Sequence, residues 1–179
     1  VAASNVSTNA LQAWNPSANY IVNSLNIDAS NNVIIGGSFS GFQETSHTYA
    51  SSINYTAKAL HSWTPVIDNV VYDITYNDTK IFIGGAFHTV NGGAKNGLAA
   101  FRLNGVIQAT NLNLTKGGTS NVTVWSLFAT PTNIYAGGDF DKAGAILRNN
   151  FVEADISAGA GTILATNAFA DDIVYSIDV

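Results

Sequence analysis

Cysteine and methionine are both absent from the 179 residues. Without cysteine, neither a disulfide nor a thiolate metal site can hold the fold, so an apolar core must do it alone. Charge is scarce as well. Asp, Glu, Lys and Arg make up 11% of the chain, under half of the roughly 25% found in ordinary soluble domains. Only seven residues are basic and the formal net charge is -5, which removes the basic stripe that nucleic acid or an anionic membrane surface requires. Long apolar runs are missing too: stretches such as Ile81 to Ile83 are strand-sized, far short of the roughly 20 residues of a membrane-spanning helix. No secretory leader is legible at the start, Val1, and the sequence is expected to be a mature form or part of something longer. What it does contain is 46% hydrophobic residues, enough for a folded core, and a polar surface of Asn, Ser and Thr.

The strongest signal is an internal repeat. A double glycine, a small or acidic residue and Phe recur as Gly36-Gly37-Ser38-Phe39, Gly84-Gly85-Ala86-Phe87 and Gly137-Gly138-Asp139-Phe140, the first glycines lying 48 and 53 residues apart. Each pair follows an apolar strand, Val33 to Ile35, Ile81 to Ile83 or Ile134 to Ala136. An earlier strand precedes each of these: Val22 to Leu25, Val71 to Ile74 and Val124 to Leu127, with a fourth copy at Val174 to Ile177. Turn-forming residues separate the two strands, so the spacing predicts a hairpin of strands a and b. A variable loop and strand c follow, at Ser52 to Tyr55, Leu98 to Phe101, Phe151 to Ala154 and, near the start, Ala2 to Val6. Strand d reads Leu11 to Pro16 and Leu60 to Pro65, each with a Trp and a Pro, then more loosely Val106 to Asn111 and Ile163 to Asn167.

Four short strands per unit at this period, without helical periodicity, predict an all-β fold: a fragment of a β-propeller with four-stranded antiparallel blades. A parallel β-helix is the main rival, but its shorter coils would not place two hairpin signals in every unit. The expected division is the end of one blade at 1–19, blades at 20–68, 69–121 and 122–171, and the first strand of the next at 172–179. A ring closed on these parts would lack one strand b and leave an edge unpaired. The full protein is therefore expected to continue at both ends, to roughly six or more blades.

The strand followed by Gly-Gly-x-Phe, then Val90-Asn91-Gly92-Gly93, Asn96 to Phe101 and the closing Ala13-Trp14-Asn15-Pro16 resembles the delta-60 repeat, a Kelch-like β-propeller repeat of secreted bacterial proteins. The likeness spans nearly the whole chain. It is closest in the second unit; the first departs after Gly41 and the third after Lys142. The arrangement is also similar to large glycosylated cortical-marker proteins of fungi. The resemblance implies a propeller and an extracellular or cell-surface setting within a larger protein, whereas function does not follow from fold alone.

Candidate sites favour architecture over chemistry. The repeat residues Gly36, Gly37, Phe39, Gly84, Gly85, Phe87, Gly137, Gly138 and Phe140 read as structural: no helix follows and no Lys sits in the motif, so a phosphate cradle is not expected. Trp14 and Trp63 could stack on sugars, but their repeated position predicts packing between blades. The same holds for Tyr72, Trp125 and Tyr175, which share one place in strand a with Asn23. His47, His61 and His88 lack metal-ligand spacing. Asp139, Asp141, Glu153 and Asp155 form the densest acidic group, for which calcium binding or a carboxylate-pair hydrolase can be imagined, yet Ser38, Ser40, Ala86 and His88 hold the places of Asp139 and Asp141 in the other units. No Gly-x-Ser-x-Gly elbow is present. Catalytic, cofactor and metal residues are therefore expected to be none. Asn5, Asn54, Asn77, Asn113 and Asn121 begin Asn-x-Ser/Thr triplets, only just above the roughly four that composition produces by chance, and are glycosylation sites only in a eukaryotic source.

The expected function is a non-catalytic extracellular module whose loops meet a protein or glycan partner, since variable segments such as Gly41 to Ala50 and Leu112 to Asn121 sit on a rigid frame. Two alternatives stand beside it: a structural segment of an extracellular filament or sheath, and a propeller-type glycoside hydrolase or lyase.

Overall fold

Each double glycine lies at the end of the second strand of an antiparallel hairpin or one residue short of it, and three such hairpins repeat one arrangement along the chain. The computed structural model describes residues 5, 7–10, 16–57, 59–61, 63–166 and 168–178. Its regular structure is all β, in several small sheets whose pairings are antiparallel throughout, which disposes of a parallel β-helix.

The first unit comprises β1 (Val22–Ile27), β2 (Asn32–Gly37), a short hairpin of β3 (Gly41–Phe42) and β4 (Thr45–Ser46), then β5 (Ala50–Asn54) and β6 (Ala59–Leu60), with its main sheet ordered β1-β2-β5-β6. The second has β7 (Val71–Asn77), β8 (Lys80–Gly85), the hairpin β9 (Thr89–Val90) and β10 (Gly93–Ala94), and β11 (Leu98–Arg102), ordered β11-β8-β7. A linking strand β12 (Leu114–Thr115) leads to β13 (Thr123–Ala129), β14 (Asn133–Asp139), the hairpin β15 (Lys142–Ala143) and β16 (Ile146–Leu147), β17 (Phe151–Asp155) and β18 (Thr162–Ile163), ordered β13-β14-β17-β18.

Local chemistry sets the turns. Asp28 Oδ1 accepts the N–H groups of Ser30 and Asn32 at 2.9 and 2.8 Å. Asn77 Oδ1 accepts those of Thr79 and Lys80, and Thr130 Oγ1 accepts that of Asn133. One position after strand a therefore carries a short polar side chain that closes the turn onto its own backbone. In the small hairpins Asn91 and Gly92 both have positive φ, 51° and 75°, the backbone of a tight two-residue turn.

The core lies between neighbouring sheets. Along β8, Ile81 and Ile83 join the cluster shared with the first unit, while Phe82 joins the cluster shared with the third. β11 divides its residues the same way, Ala99 and Phe101 to one side and Leu98 and Ala100 to the other. Because side chains alternate faces along a strand, a run without polar residues is what a sheet covered on both faces requires.

Several details differ from the sequence reading. The middle sheet has three strands: beyond β11 only an isolated bridge, Phe101 to Ile107, stands where a fourth was expected. There the chain turns at Gly105 (φ 85°) and then diverges, placing the carbonyls of Gln108 and Thr110 against Lys95. The outer fourth strands, β6 and β18, are two residues long. What reads as a variable loop after each Gly-Gly-x-Phe is an ordered hairpin in every unit. Residues 173–178 form no strand. The expected strands at Ala2 to Val6 and Leu11 to Pro16, and with them Trp14, lie mostly or wholly outside the described residues.

Candidate functional site

The junction between units is the most sharply built feature. Register slips by one residue in each a–b hairpin, between Val22 and Ser24, Val71 and Asp73, and Val124 and Ser126. Two residues beyond this position, and at its equivalent in residues 173–178, an N–H is given to the preceding unit. Ser24 Oγ accepts the Ile74 N–H at 3.1 Å, Asp73 Oδ2 accepts that of Leu127 at 2.7 Å, and Ser126 Oγ accepts that of Ile177 at 3.0 Å. Ser24 also donates to Asp73 Oδ1 at 2.9 Å.

Apolar knobs fit beside these bonds. A Cβ placed on Gly36 would lie 2.5 Å from Val71 Cγ1, one on Gly84 2.8 Å from Val124 Cγ1, and one on Gly137 2.5 Å from Val174 Cγ1. The first glycine of each pair is therefore a floor for the Val and the aliphatic residue three positions later in the next unit. The second glycine has a different reason: a Cβ on Gly37, Gly85 or Gly138 would stand 2.1 Å from the carbonyl oxygen of Ile21, Val70 or Thr123. Phe39, Phe87 and Phe140 are buried beside them, one in each core cluster.

The bulged residues Asn23, Tyr72 and Trp125, with Tyr175 at the same repeat position, form a row. Asn23 Nδ2 donates to the Val71 carbonyl at 2.9 Å, the rings of Tyr72 and Trp125 lie 4.2 Å apart, and those of Trp125 and Tyr175 5.6 Å apart. Trp63 is buried edge-on to Phe101, at 5.2 Å and 83°, in the core between the first and second units.

A buried basic position escaped the sequence reading. His47, Lys95 and Arg148 each lie ten residues after the second glycine, and all three are buried. Lys95 Nζ donates to the carbonyls of Gln108 and Thr110 at 2.9 and 2.8 Å, and Arg148 Nη2 donates to the Leu164 carbonyl at 2.6 Å. His47 Nδ1 shares a hydrogen bond with Ser51 Oγ at 3.2 Å. In the second and third units the cation thus serves backbone carbonyls near the place of the fourth strand, whereas His47 in the first meets a hydroxyl. Burial lowers the pKa of both His47 and Lys95. The fixed spacing was the available signal.

The acidic group separates into two. Asp139 pairs with Lys116, and Asp141 Oδ2 accepts the Gly117 N–H at 2.7 Å while its Oδ1 is buried without a partner. Both line an open cleft of about 510 Å³ with Asn149, Asn150, Asp171 and Asp172. Glu153 and Asp155 lie toward the opposite end of the sheet, paired in register with Tyr135 and Asn133. Hydrogen bonding from Thr166 holds Glu153 below the usual carboxylate range, burial opposing it and Asn133 and Tyr135 assisting. Among the described residues no group of three His, Asp or Glu is placed to hold a metal ion. His61 Nδ1 accepts the Trp63 N–H, and His88 Nδ1 lies 4.0 Å from Asp68.

The glycosylation triplets are unequal. Asn5, Asn113 and Asn121 are exposed. Asn77 is buried with its amide given to the Thr130 carbonyl, and Asn54 Nδ2 is engaged by Asn32 and Ser30. No described helix is long and apolar enough to cross a membrane. No protein-family model matches the sequence, and no curated protein matches it.

Proposed function

We propose that this chain is a segment of a β-propeller, its three main sheets serving as successive blades, and that it works as a non-catalytic extracellular binding or scaffolding module with a protein or glycan partner at its loop faces. One observation carries the reading: the same junction recurs at Gly36, Gly84 and Gly137, stacking each unit on the next through strand a. A serial array of this kind is a rigid frame, and it leaves the residues between strands free to vary. The hairpin tips do vary, from Gln43-Glu44 to Asn91-Gly92 to Gly144-Ala145, and the linking segment of the third unit adds an exposed turn at Lys116 to Thr119.

The hydrolase alternative drew on Asp139 and Asp155. Asp155 pairs with Asn133 at the start of β14 and Asp139 ends that strand, so about 20 Å of strand separates them, beyond the roughly 5 to 9.5 Å of glycosidase carboxylate pairs. The extracellular setting rests on the resemblance to delta-60 repeats. The binding role is tested by a glycan array and an affinity pull-down with the full-length protein; silence in both sinks it. Electron microscopy of the same protein tests the propeller, which requires a ring of radial sheets.

A further inference from the structure

One strand-pair position carries different chemistry in each unit. The first residue of strand b faces the last residue of strand c in register: Asn32 with Asn54, Lys80 with Arg102, and Asn133 with Asp155. The first and third units settle theirs locally. Asn54 Nδ2 donates to Asn32 Oδ1 at 3.0 Å, and Asn133 Nδ2 donates to Glu153 Oε1 at 2.6 Å. The middle pair sets two cations opposite each other, an arrangement that costs a sheet stability. Seven basic residues serve the whole chain, and two of them meet here.

Lys80 and Arg102 line a cleft of about 620 Å³ whose walls include Thr79, Asn104, Gln108 and Ser157. The cleft is formed by residues of the second and third units, at the a–b turn end of the sheets and away from the hairpins that follow Gly-Gly-x-Phe. No lining residue is acidic. Lys80 Nζ is held in place by donating to the Ile156 carbonyl at 2.6 Å, which leaves two of its three N–H groups. The Arg102 guanidinium meets no acceptor among the described residues. Asp155 turns Oδ1 to the N–H and hydroxyl of Ser157 at 2.7 and 2.6 Å. The hydroxyl and then the N–H hold its carboxyl below the usual range, desolvation opposing them and the charge of Lys80 assisting. We propose that this cleft binds a saccharide bearing a carboxylate, a uronic acid unit, with Arg102 gripping the carboxylate through its planar fork and Lys80 supplying the second charge. An anion between the two cations relieves their repulsion. Thr79 Oγ1 and Ser157 Oγ give their protons within the chain and remain acceptors, and Asn104 and Gln108 add amides, a lining that suits the hydroxyls of a sugar ring. The inference rests on the binding reading above for the kind of ligand and gives it a place and a chemistry.

Isothermal titration calorimetry of the full chain with a galacturonic acid trisaccharide tests it, against the uncharged galactose trisaccharide and an aspartate-rich peptide of equal charge. The uronate should bind, both controls should bind at least about tenfold more weakly, and added salt should weaken the uronate complex. Arg102→Gln should weaken uronate binding at least about tenfold, Arg102→Lys less so, and Lys142→Gln, at an exposed lysine of the third small hairpin, not at all. Thermal melts separate a binding role from a structural one: Arg102→Gln removes a like charge and should leave the fold as stable or more so. Absence of uronate binding, equal binding of either control, wild-type affinity in Arg102→Gln, or a lowered melting temperature in that variant overturns the proposal. A pull-down partner found without uronate binding overturns this site and leaves the binding role, whereas uronate binding without such a partner supports this site.

Discussion

The junction between the second and third units and the seat of residues 173–178 on the third unit are made of the same parts. Both have a glycine floor, a Val and an aliphatic knob, and an N–H given to a Ser or Asp side chain. Yet Leu127 belongs to a strand bonded to β14 and is 5% exposed, while the terminal copy forms no strand and leaves Ile177, at the same repeat position, only partly buried. The junction pattern therefore places a segment without making it a strand. Strand character comes from the ladder with strand b, and full burial comes from the sheet behind that ladder.

This comparison can be broken by substitutions at matched positions, read by chemical denaturation. Ile74→Ala should cost about 3 kcal/mol, the usual range for emptying a buried aliphatic site, while Ile177→Ala should cost under about 1 kcal/mol because the segment can settle. Equal losses would mean the terminal seat is as firm as an inner junction. Gly84→Ala comes next, at about 2 kcal/mol from overpacking against Val124 and Leu127. Gly137→Ala should cost less than half of that, since Val174 can lift away. Asp73→Ala removes the acceptor of both Leu127 N–H and Ser24 Oγ–H and should cost about 1.5 kcal/mol, against under about 1 kcal/mol for Ser126→Ala.

The smallest effect compares the three buried basic positions. Burial lowers the His47 pKa from its model-peptide value of 6.5, so the folded state favours the neutral ring. The stabilising contribution is complete above about pH 6.5, and it declines as pH falls through that value toward the folded pKa, because the unfolded chain takes up its proton first. Thermal melts between pH 7.5 and pH 5 should show this decline, and His47→Gln should flatten it. An unchanged slope in His47→Gln would show that the first unit's basic position does not govern its acid response.

Much of this was legible because it repeats. Gly84-Gly85 after Ile81 to Ile83, with Val71 to Ile74 upstream, marks a hairpin by pattern alone, and the observed pairing of Ile74 with Ile83 follows that spacing. The small hairpins were less visible, since two-residue strands such as Gly93–Ala94 carry no periodicity. Lys95 was missed because a lone lysine in a polar stretch looks solvated; its burial depends on carbonyls 13 and 15 residues away. The acidic cluster misled for the opposite reason: Asp139 ends β14, while Asp155 pairs with Asn133 at that strand's start.

By itself the sequence determined the unit: its period, the a–b hairpin, the glycines, and the apolar strands that must be covered on both faces. These are consequences of φ freedom, alternation and turn chemistry, all of which act within a few residues. The tertiary structure decided which copies of one pattern become buried strands. Val22, Val71, Val124 and Val174 open nearly identical segments, and what separates them is whether a sheet lies in front and a strand lies behind. Burial and ladder hydrogen bonds are supplied by neighbours, and no four-residue pattern carries its neighbours with it.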